Sequence, residues 1–233
     1  MTQPSEDEVR PVIVLVVLLL VVTNLTNNIW APGAHLFVSP LVTVLLLGIG
    51  RAAGLSWTDI GLGRGALLGG IRWGGAGVVL ITAGYALALA LPFARAAAEA
   101  APGIRTTLFN ALVDVPVGTV ILEEVAFRGV LWALLSRDHG PVVATAVSSV
   151  LFGLWHVLPT LGSSDGVRVP TMLADGFLGR LAWVLLNVLA TGAAGVVFCE
   201  LRRRSGSLRA PMRVHWALNG VGFGFRAVAG RTA

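Results

Sequence analysis

Apolar stretches, most of them close to the length of a membrane-spanning helix, dominate this 233-residue sequence. A helix needs about 20 mostly apolar residues to cross the hydrocarbon core of a bilayer. By that criterion the predicted spans are residues 11–30, 34–50, 73–91, 106–135, 141–160, 181–201 and 207–225. The second is short and the fourth is long enough to tilt or break, so six to eight spans fit the pattern. The sequence therefore predicts an all-α fold, a polytopic membrane helix bundle of about seven helices.

The composition supports membrane insertion. Only 12% of the residues are charged and the mean hydropathy is +0.81, whereas about 25% of residues are charged in a typical soluble domain. No loop between the spans is long enough for a soluble domain, so residues 1–233 are predicted to form a single membrane-embedded domain. The only cysteine, Cys199, excludes an internal disulfide.

The basic residues predict an origin and an orientation. All 17 are arginine, and the chain is rich in Ala, Gly, Val and Leu. This composition is typical of a GC-rich genome and does not indicate a nucleic-acid partner. The expected location is a prokaryotic plasma membrane. With seven spans and a cytoplasmic amino terminus, the cytoplasmic arginines would be Arg10, Arg51, Arg64, Arg72, Arg137, Arg202, Arg203, Arg204, Arg209 and Arg213. The other side would carry Arg95, Arg105, Arg168, Arg180, Arg226 and Arg231. This bias favours a cytoplasmic amino terminus by the positive-inside rule.

A few ionisable residues interrupt the apolar spans, and charge inside a membrane helix costs roughly 2.5–3.5 kcal/mol per residue on insertion scales. The stretch ILEEVAFRG places Glu123, Glu124 and Arg128 within six residues. Residues four apart share a helix face, so Glu124 is predicted to pair with Arg128. Glu123 points about 100° away and lacks that partner. One glutamate is therefore predicted to be structural and the other to be available for chemistry.

Two later helices offer further polar groups at helical spacing. Phe152 and His156 are four apart in the fifth span, and His215 and Asn219 are four apart in the last. A glutamate with a histidine can take a proton from water, and a histidine with an asparagine can stabilise an oxyanion. The same inventory suits zinc, although there is no H-E-x-x-H and the ligands would come from different helices. The residues alone leave metal-free and zinc-dependent hydrolysis both open.

The seven-span arrangement places the two histidines at different depths. His156 would lie about 15 residues and His215 about eight residues from the cytoplasmic ends of their helices, a difference of about 10 Å at 1.5 Å per residue. Contact between them would need a tilt, a broken helix or a different count of spans. Gly192 and Gly195 mark a candidate break in the sixth span, and residues 161–180 are predicted to be a loop.

Other polar residues are given no catalytic role. Asp114 is predicted to make a helix-helix hydrogen bond, and Asn24, Asn27 and Asn28 are predicted to lie at the membrane interface. No function is assigned to His35. The alanine-rich residues 92–103 are predicted to form a short surface helix. Trp155 and Trp216 flank the two histidines and are predicted to shape the pocket.

Three motifs, in their order along a multi-pass chain, resemble those of the CAAX protease and bacteriocin-processing family, also called CPBP or Abi. They are Glu-Glu-x-x-x-Arg at Glu123, Glu124 and Arg128, Phe-x-x-x-His at Phe152 and His156, and His-x-x-x-Asn at His215 and Asn219. The segment RGVLW ends the first motif, and GSLRAPMRVHW leads into the third. The resemblance covers residues 113–221, which would form the catalytic core, and the first three spans match only in being hydrophobic.

The resemblance implies an intramembrane glutamate-dependent endopeptidase, typified by the enzyme that removes the last three residues of prenylated CAAX proteins. Its implied roles are Glu123 as general base with His156 helping to activate the water, His215 and Asn219 as the oxyanion hole, Glu124 and Arg128 as braces, and Phe152 as a packing residue. The expected substrate is a membrane-associated protein or peptide, with or without a lipid. No cofactor is expected; the alternative is zinc held by Glu123, His156 and His215.

Two other functions fit a polytopic chain of this kind. A non-catalytic membrane immunity or scaffold protein of the same fold has no need for an unpaired Glu123. A transporter or proton relay also buries carboxylates and histidines, but here the polar residues gather in the carboxy-terminal half without the matching set that an inverted repeat would provide. The sequence therefore favours the membrane protease.

Overall fold

In the computed structural model, residues 6–92, 103–162 and 176–232 are described, and they form a bundle of helices. The α-helices are α1 (Glu6–Leu25), α2 (His35–Ala52), α3 (Trp57–Ile60), α4 (Leu67–Leu89), α5 (Ile104–Phe109), α6 (Ile121–Glu123), α7 (Trp132–Trp155), α8 (Val157–Gly162), α9 (Phe177–Ser205), α10 (Arg209–Trp216) and α11 (Gly222–Thr232). Wider π-helical turns form π1 (Thr26–Trp30), π2 (Asn110–Val120), π3 (Glu124–Leu131) and π4 (Ala217–Val221). The prediction of an all-α bundle is confirmed.

Within the described residues, five helical stretches are long and apolar enough to cross a membrane. They are Val9–Trp30, Pro32–Ala52, Trp57–Leu89, Ile104–Gly162 and Phe177–Ser205. The fourth of these folds back on itself at Gly140, whose backbone is not helical (φ 80°, ψ 168°). The last predicted span, residues 207–225, falls on α10, π4 and α11, which are more polar than these five stretches. The protein is an integral membrane protein.

Residues 104–139, called the central helix below, run from α5 into the first part of α7 and form the axis of the bundle. Every residue from Leu122 to Leu131 is buried, including both glutamates and Arg128. Beyond Gly140 the chain returns antiparallel to the central helix, as two hydrogen bonds between the two arms show: Ser148 donates to the Phe127 carbonyl and the Trp132 indole donates to Thr145. This hairpin places residues 148–156 beside the glutamates.

Helix α9 packs on the second half of α7 through small residues. A Cβ added at Gly153 would lie 2.6 Å from the Val188 carbonyl oxygen, and one at Gly195 would lie 3.1 Å from Ser149. Such close backbone approach is how membrane helices gain packing contacts. The predicted break at Gly192 and Gly195 is wrong, because α9 is continuous over Phe177–Ser205 and these glycines serve packing.

The helix break lies instead at the second motif. Helix α7 ends at Trp155, His156 adopts φ −84° and ψ 0°, and α8 begins at Val157. The fifth predicted span, residues 141–160, is therefore broken close to its end, beside the proposed site. Most of the predicted surface helix (93–102) and most of the predicted loop (163–175) lie outside the described residues.

Candidate active site

The central helix and α10 meet at a buried ionic cluster. Glu124 Oε1 accepts from Arg128 Nη1 at 3.1 Å and from His215 Nδ1 at 2.8 Å. The side chains of Glu124 and Arg128 are fully buried and that of His215 is 6% exposed. The predicted Glu124–Arg128 pair is present, and His215 joins it from a segment 91 residues away in sequence.

Aromatic faces enclose the Arg128 guanidinium. Its Cζ lies 3.8 Å from the centre of the Phe152 ring and 4.9 Å from that of Phe198. Cation–π contacts of this kind stabilise a desolvated guanidinium by about 2 kcal/mol. Within the described part of the chain, Arg128 Nε and Nη2 have no hydrogen-bond partner, so the ring faces supply much of its environment. Phe152 thus packs directly against the ionic cluster.

The two carboxylate oxygens of Glu123 differ: Oε1 accepts a hydrogen bond, and Oε2 accepts none from the described residues. The Trp155 indole Nε1 donates to Glu123 Oε1 at 2.9 Å. Glu123 Oε2 has no hydrogen-bond partner among the described residues and lies 3.8 Å from His215 Nε2. That gap is too long for a hydrogen bond, and polar atoms at such a distance are commonly bridged by water. The two oxygens of one buried carboxylate therefore have different environments.

His156 also contacts the Phe152 ring. The ring centre of Phe152 is 4.7 Å from that of His156 and 6.0 Å from that of His215. His156 Nδ1 lies 2.8 Å from the Phe152 carbonyl oxygen. A carbonyl oxygen only accepts, so Nδ1 carries the hydrogen and Nε2 of the neutral ring keeps its lone pair. The histidine next to the glutamates is thus His215, and His156 contacts Phe152, which packs against the cluster.

Asn219 lies in π4, one wide turn beyond His215. A π-helix has more residues per turn than the 3.6 of an α-helix, so four-residue spacing no longer stacks the two side chains in line. The residue is exposed, and the turn is tethered by Trp216 Nε1 to the Ala111 carbonyl and by the Tyr85 hydroxyl to the Leu218 carbonyl, both at 2.8 Å. Asn219 is therefore exposed on the wide turn that follows His215.

Sequence reasoning missed several contacts around this site. Asn24, predicted to be interfacial, is 8% exposed and donates from Nδ2 to the Trp155 carbonyl at 2.9 Å. Asp114 accepts from His35 Nε2 at 2.7 Å, which confirms the helix-helix hydrogen bond predicted for Asp114, although spacing does not identify His35 as its partner. An asparagine inside an apolar helix was the available signal for Asn24, because a buried amide requires a partner.

The alternative zinc set is not arranged as a metal site. Within the described residues no group of three or more His, Cys, Asp or Glu side chains could hold a metal ion. His215 Nδ1 contacts Glu124 and His156 Nδ1 contacts the Phe152 carbonyl, which leaves only the Nε2 atom of each ring for a metal. Glu123, His156 and His215 do not fit zinc in this arrangement, and independence from metals stays a prediction for a chelator experiment.

Comparison with known proteins gives a match to one described family. A family model described as type II CAAX prenyl endopeptidase Rce1-like matches residues 104–221, just over half of the chain. The matched residues contain all three motifs, whereas α1, α2 and α4 lie outside them. No curated protein and no solved structure matches the chain.

Proposed function

Because the chain belongs to the Rce1-like family of type II CAAX prenyl endopeptidases, we propose that it is an intramembrane glutamate-dependent endopeptidase. Its substrate is a membrane-associated protein or peptide, and the reaction is hydrolysis of a peptide bond by an activated water. Family membership supports a CAAX protease-like peptidase, and the roles of individual residues below belong to the proposal.

The observation that carries the mechanism is the asymmetry between the two glutamates. Glu124 is engaged by Arg128 and His215, whereas Glu123 keeps Oε2 unbonded at 3.8 Å from His215 Nε2. A general base must present an acceptor to the proton that it removes. We assign this role to Glu123 Oε2, with the attacking water held at that atom.

The surrounding groups balance charge and stabilise the transition state. Two carboxylates, one guanidinium and one imidazolium would leave the cluster neutral. An imidazolium at His215 donates from Nδ1 to Glu124 and keeps Nε2–H for the oxygen of the scissile carbonyl. Asn219, on the exposed turn after His215, supplies the second hydrogen-bond donor to that carbonyl oxygen.

The neutral His156 ring, with its hydrogen on Nδ1, is suited to assist the general base. Its Nε2 carries a lone pair and can accept a proton from the water or the intermediate. The ring is half-buried and both histidines contact Phe152, so a substrate bound beside Phe152 would reach both histidines. His156 thus assists the base rather than the oxyanion.

A cleavage assay with purified protein in detergent tests the proposal. The substrates are prenylated and unprenylated versions of the same peptides, because the family acts on prenylated proteins while the composition favours a prokaryotic source. Glu123→Gln keeps an acceptor for Trp155 but removes the base, and we expect kcat to fall about 10²–10⁴-fold. Thermal unfolding of the variant should match that of the wild type. Full activity in Glu123→Gln would overturn the mechanism.

The same assay tests for a metal. Cleavage is expected to survive prolonged dialysis against a chelator. Loss of cleavage that returns on adding zinc would replace the metal-free mechanism with a zinc mechanism. A wild type that folds but cleaves no peptide of the panel would favour a non-catalytic immunity or scaffold protein.

A further inference from the structure

A chain of hydrogen bonds leads to Glu123 from the first helix of the bundle. Asn28 Nδ2 donates to Asn24 Oδ1 at 2.6 Å, and Asn24 Nδ2 donates to the Trp155 carbonyl at 2.9 Å. The Trp155 indole then donates to Glu123 Oε1 at 2.9 Å. Three separated parts of the chain, α1 with π1, the end of α7 and the central helix, are joined in this way.

Asn24 donates to a backbone carbonyl that is left without a helical partner where α7 ends. Because α7 ends at Trp155, the carbonyl groups of its last turn lack α-helical partners. The Phe152 carbonyl is met by His156 Nδ1 and the Trp155 carbonyl by Asn24 Nδ2. Asn24 is 8% exposed, so its amide is fixed away from bulk solvent. One amide of α1 thus stabilises the backbone from which both Trp155 and His156 project.

The orientation of Asn24 is fixed by Asn28. Since Asn24 Oδ1 accepts from Asn28, the amino group of Asn24 must face Trp155. The indole of Trp155 is a donor only, so it selects one oxygen of Glu123 and leaves Oε2 toward His215. Asn24 bonds the backbone of Trp155 and Glu123 bonds its side chain, so Asn24 acts on Glu123 by fixing the position of Trp155.

From this geometry we infer that Asn24 and Trp155 are positioning residues for the general base. They hold the Glu123 carboxylate so that Oε2 faces the attacking water. Asn28 in turn fixes the orientation of the Asn24 side-chain amide. The inference rests on the proposed function, since it assigns a catalytic consequence to Glu123. It also gives α1, which lies outside the family match, a part in the reaction.

The test compares Trp155→Phe and Asn24→Asp with wild type in the peptide cleavage assay. Trp155→Phe removes the indole N–H, and Asn24→Asp keeps the size while removing the amide donor. Misplacement of a reacting group by about 1 Å costs about 10²-fold in rate, so kcat is expected to fall 10- to 100-fold with KM nearly unchanged. A change in KM with kcat intact would overturn the inference.

Matched controls separate positioning from a general effect on folding. Asn187 Nδ2 also donates to a tryptophan carbonyl, that of Trp183, at 2.9 Å, but within α9. The indole of Trp132 donates to Thr145 at 3.1 Å, also without contact to Glu123. Asn187→Asp and Trp132→Phe should therefore leave kcat within about twofold of wild type. Equal losses in these controls would overturn the inference.

A spectroscopic readout tests the hydrogen bond itself. The indole N–H band of Trp155 is obtained as the ultraviolet resonance Raman difference between wild type and Trp155→Phe. Asn24→Asp is expected to move this band toward that of a weaker hydrogen bond, whereas Asn187→Asp leaves it in place. An active wild type whose Trp155→Phe and Asn24→Asp variants keep full kcat would overturn this inference alone. An inactive wild type would overturn the proposed function and this inference together.

Discussion

Arg128 illustrates at the residue scale why spacing reveals some contacts and not others. Its pairing with Glu124 follows from i,i+4 geometry and needs only the local sequence. Its contacts with Phe152 and Phe198 arise from α7 and α9, and no local pattern predicts which rings enclose a guanidinium. The same limit applies to Glu123, whose partner Trp155 was identified only as a neighbour of the site.

Replacing Arg128 tests how far the cluster depends on a planar cation. Arg128→Met leaves Glu124 buried without its cation, a change that costs about 3–5 kcal/mol in comparable buried pairs. Arg128→Lys keeps the charge but loses the planar stack on Phe152, so we expect an intermediate loss. Thermal unfolding in detergent measures both. Arg204→Lys, at an exposed pair with Glu200, serves as the control and should melt with the wild type. Equal melting temperatures for all variants would contradict this account of the cluster.

The proposed role of Asn219 as an oxyanion donor can be tested by removing its side-chain amide. Removing one oxyanion donor costs about 10²–10³-fold in kcat where such donors have been tested. Because Asn219 is exposed, Asn219→Ala should fold normally and keep KM close to that of the wild type. Steady-state kinetics over a substrate series separates the two constants. A variant with normal kcat would remove Asn219 from the oxyanion hole.

At the scale of elements, the helical spans follow from hydropathy but their irregularities do not. Each predicted span falls on helical segments, because length and apolar composition are enough to predict membrane helices. Hydropathy does not predict the π-helical turns around the glutamates and Asn219 or the break at His156, because an averaged apolar content does not register how the backbone hydrogen bonds are spaced. Gly192 and Gly195 show the converse error: the sequence suggested a helix break, whereas in the structure both glycines lie in a continuous helix and pack against Ser149.

The glycines between α7 and α9 give a matched pair of substitutions. A Cβ at Gly153 would lie 2.6 Å from the backbone oxygen of Val188, whereas a Cβ at Gly192 would lie 3.5 Å from that of Ser149. Gly153→Ala must therefore separate the helices, and overpacking of this kind costs about 1–3 kcal/mol. It should also lower activity, because Gly153 lies beside Phe152, Trp155 and His156. Gly192→Ala should be tolerated in melting and cleavage assays. Similar behaviour of the two variants would contradict the packing described for this interface.

For the molecule as a whole, the arginines mark one end of the bundle. Arg137 donates to the Ala53 carbonyl, Arg202 to that of Asp59 and Arg209 to that of Leu62. Residues from the ends of three distant helices thus bind one loop, between α2 and α4. All three belong to the set that the positive-inside rule assigned to the cytoplasm. Their convergence requires an even number of crossings between them and so puts the three arginines on one side of the membrane. That this side is the cytoplasm stays a prediction of the positive-inside rule.

Two glycines at opposite ends of α2 allow this orientation to be measured. Gly33 precedes α2, and Gly65 lies in the arginine-bound loop shortly before α4; both are exposed, and a Cβ at either would meet nothing within 4 Å. The native Cys199 is buried, so the parent protein should not react with a membrane-impermeant maleimide. In intact cells we expect the reagent to label Gly33→Cys and to label Gly65→Cys only after permeabilisation. The reverse pattern would place the amino terminus and the arginine-rich end outside the cell, because α2 has one end on each side. Labelling of both in intact cells would mean that α2 does not cross the membrane, and the bundle would then need a different topology.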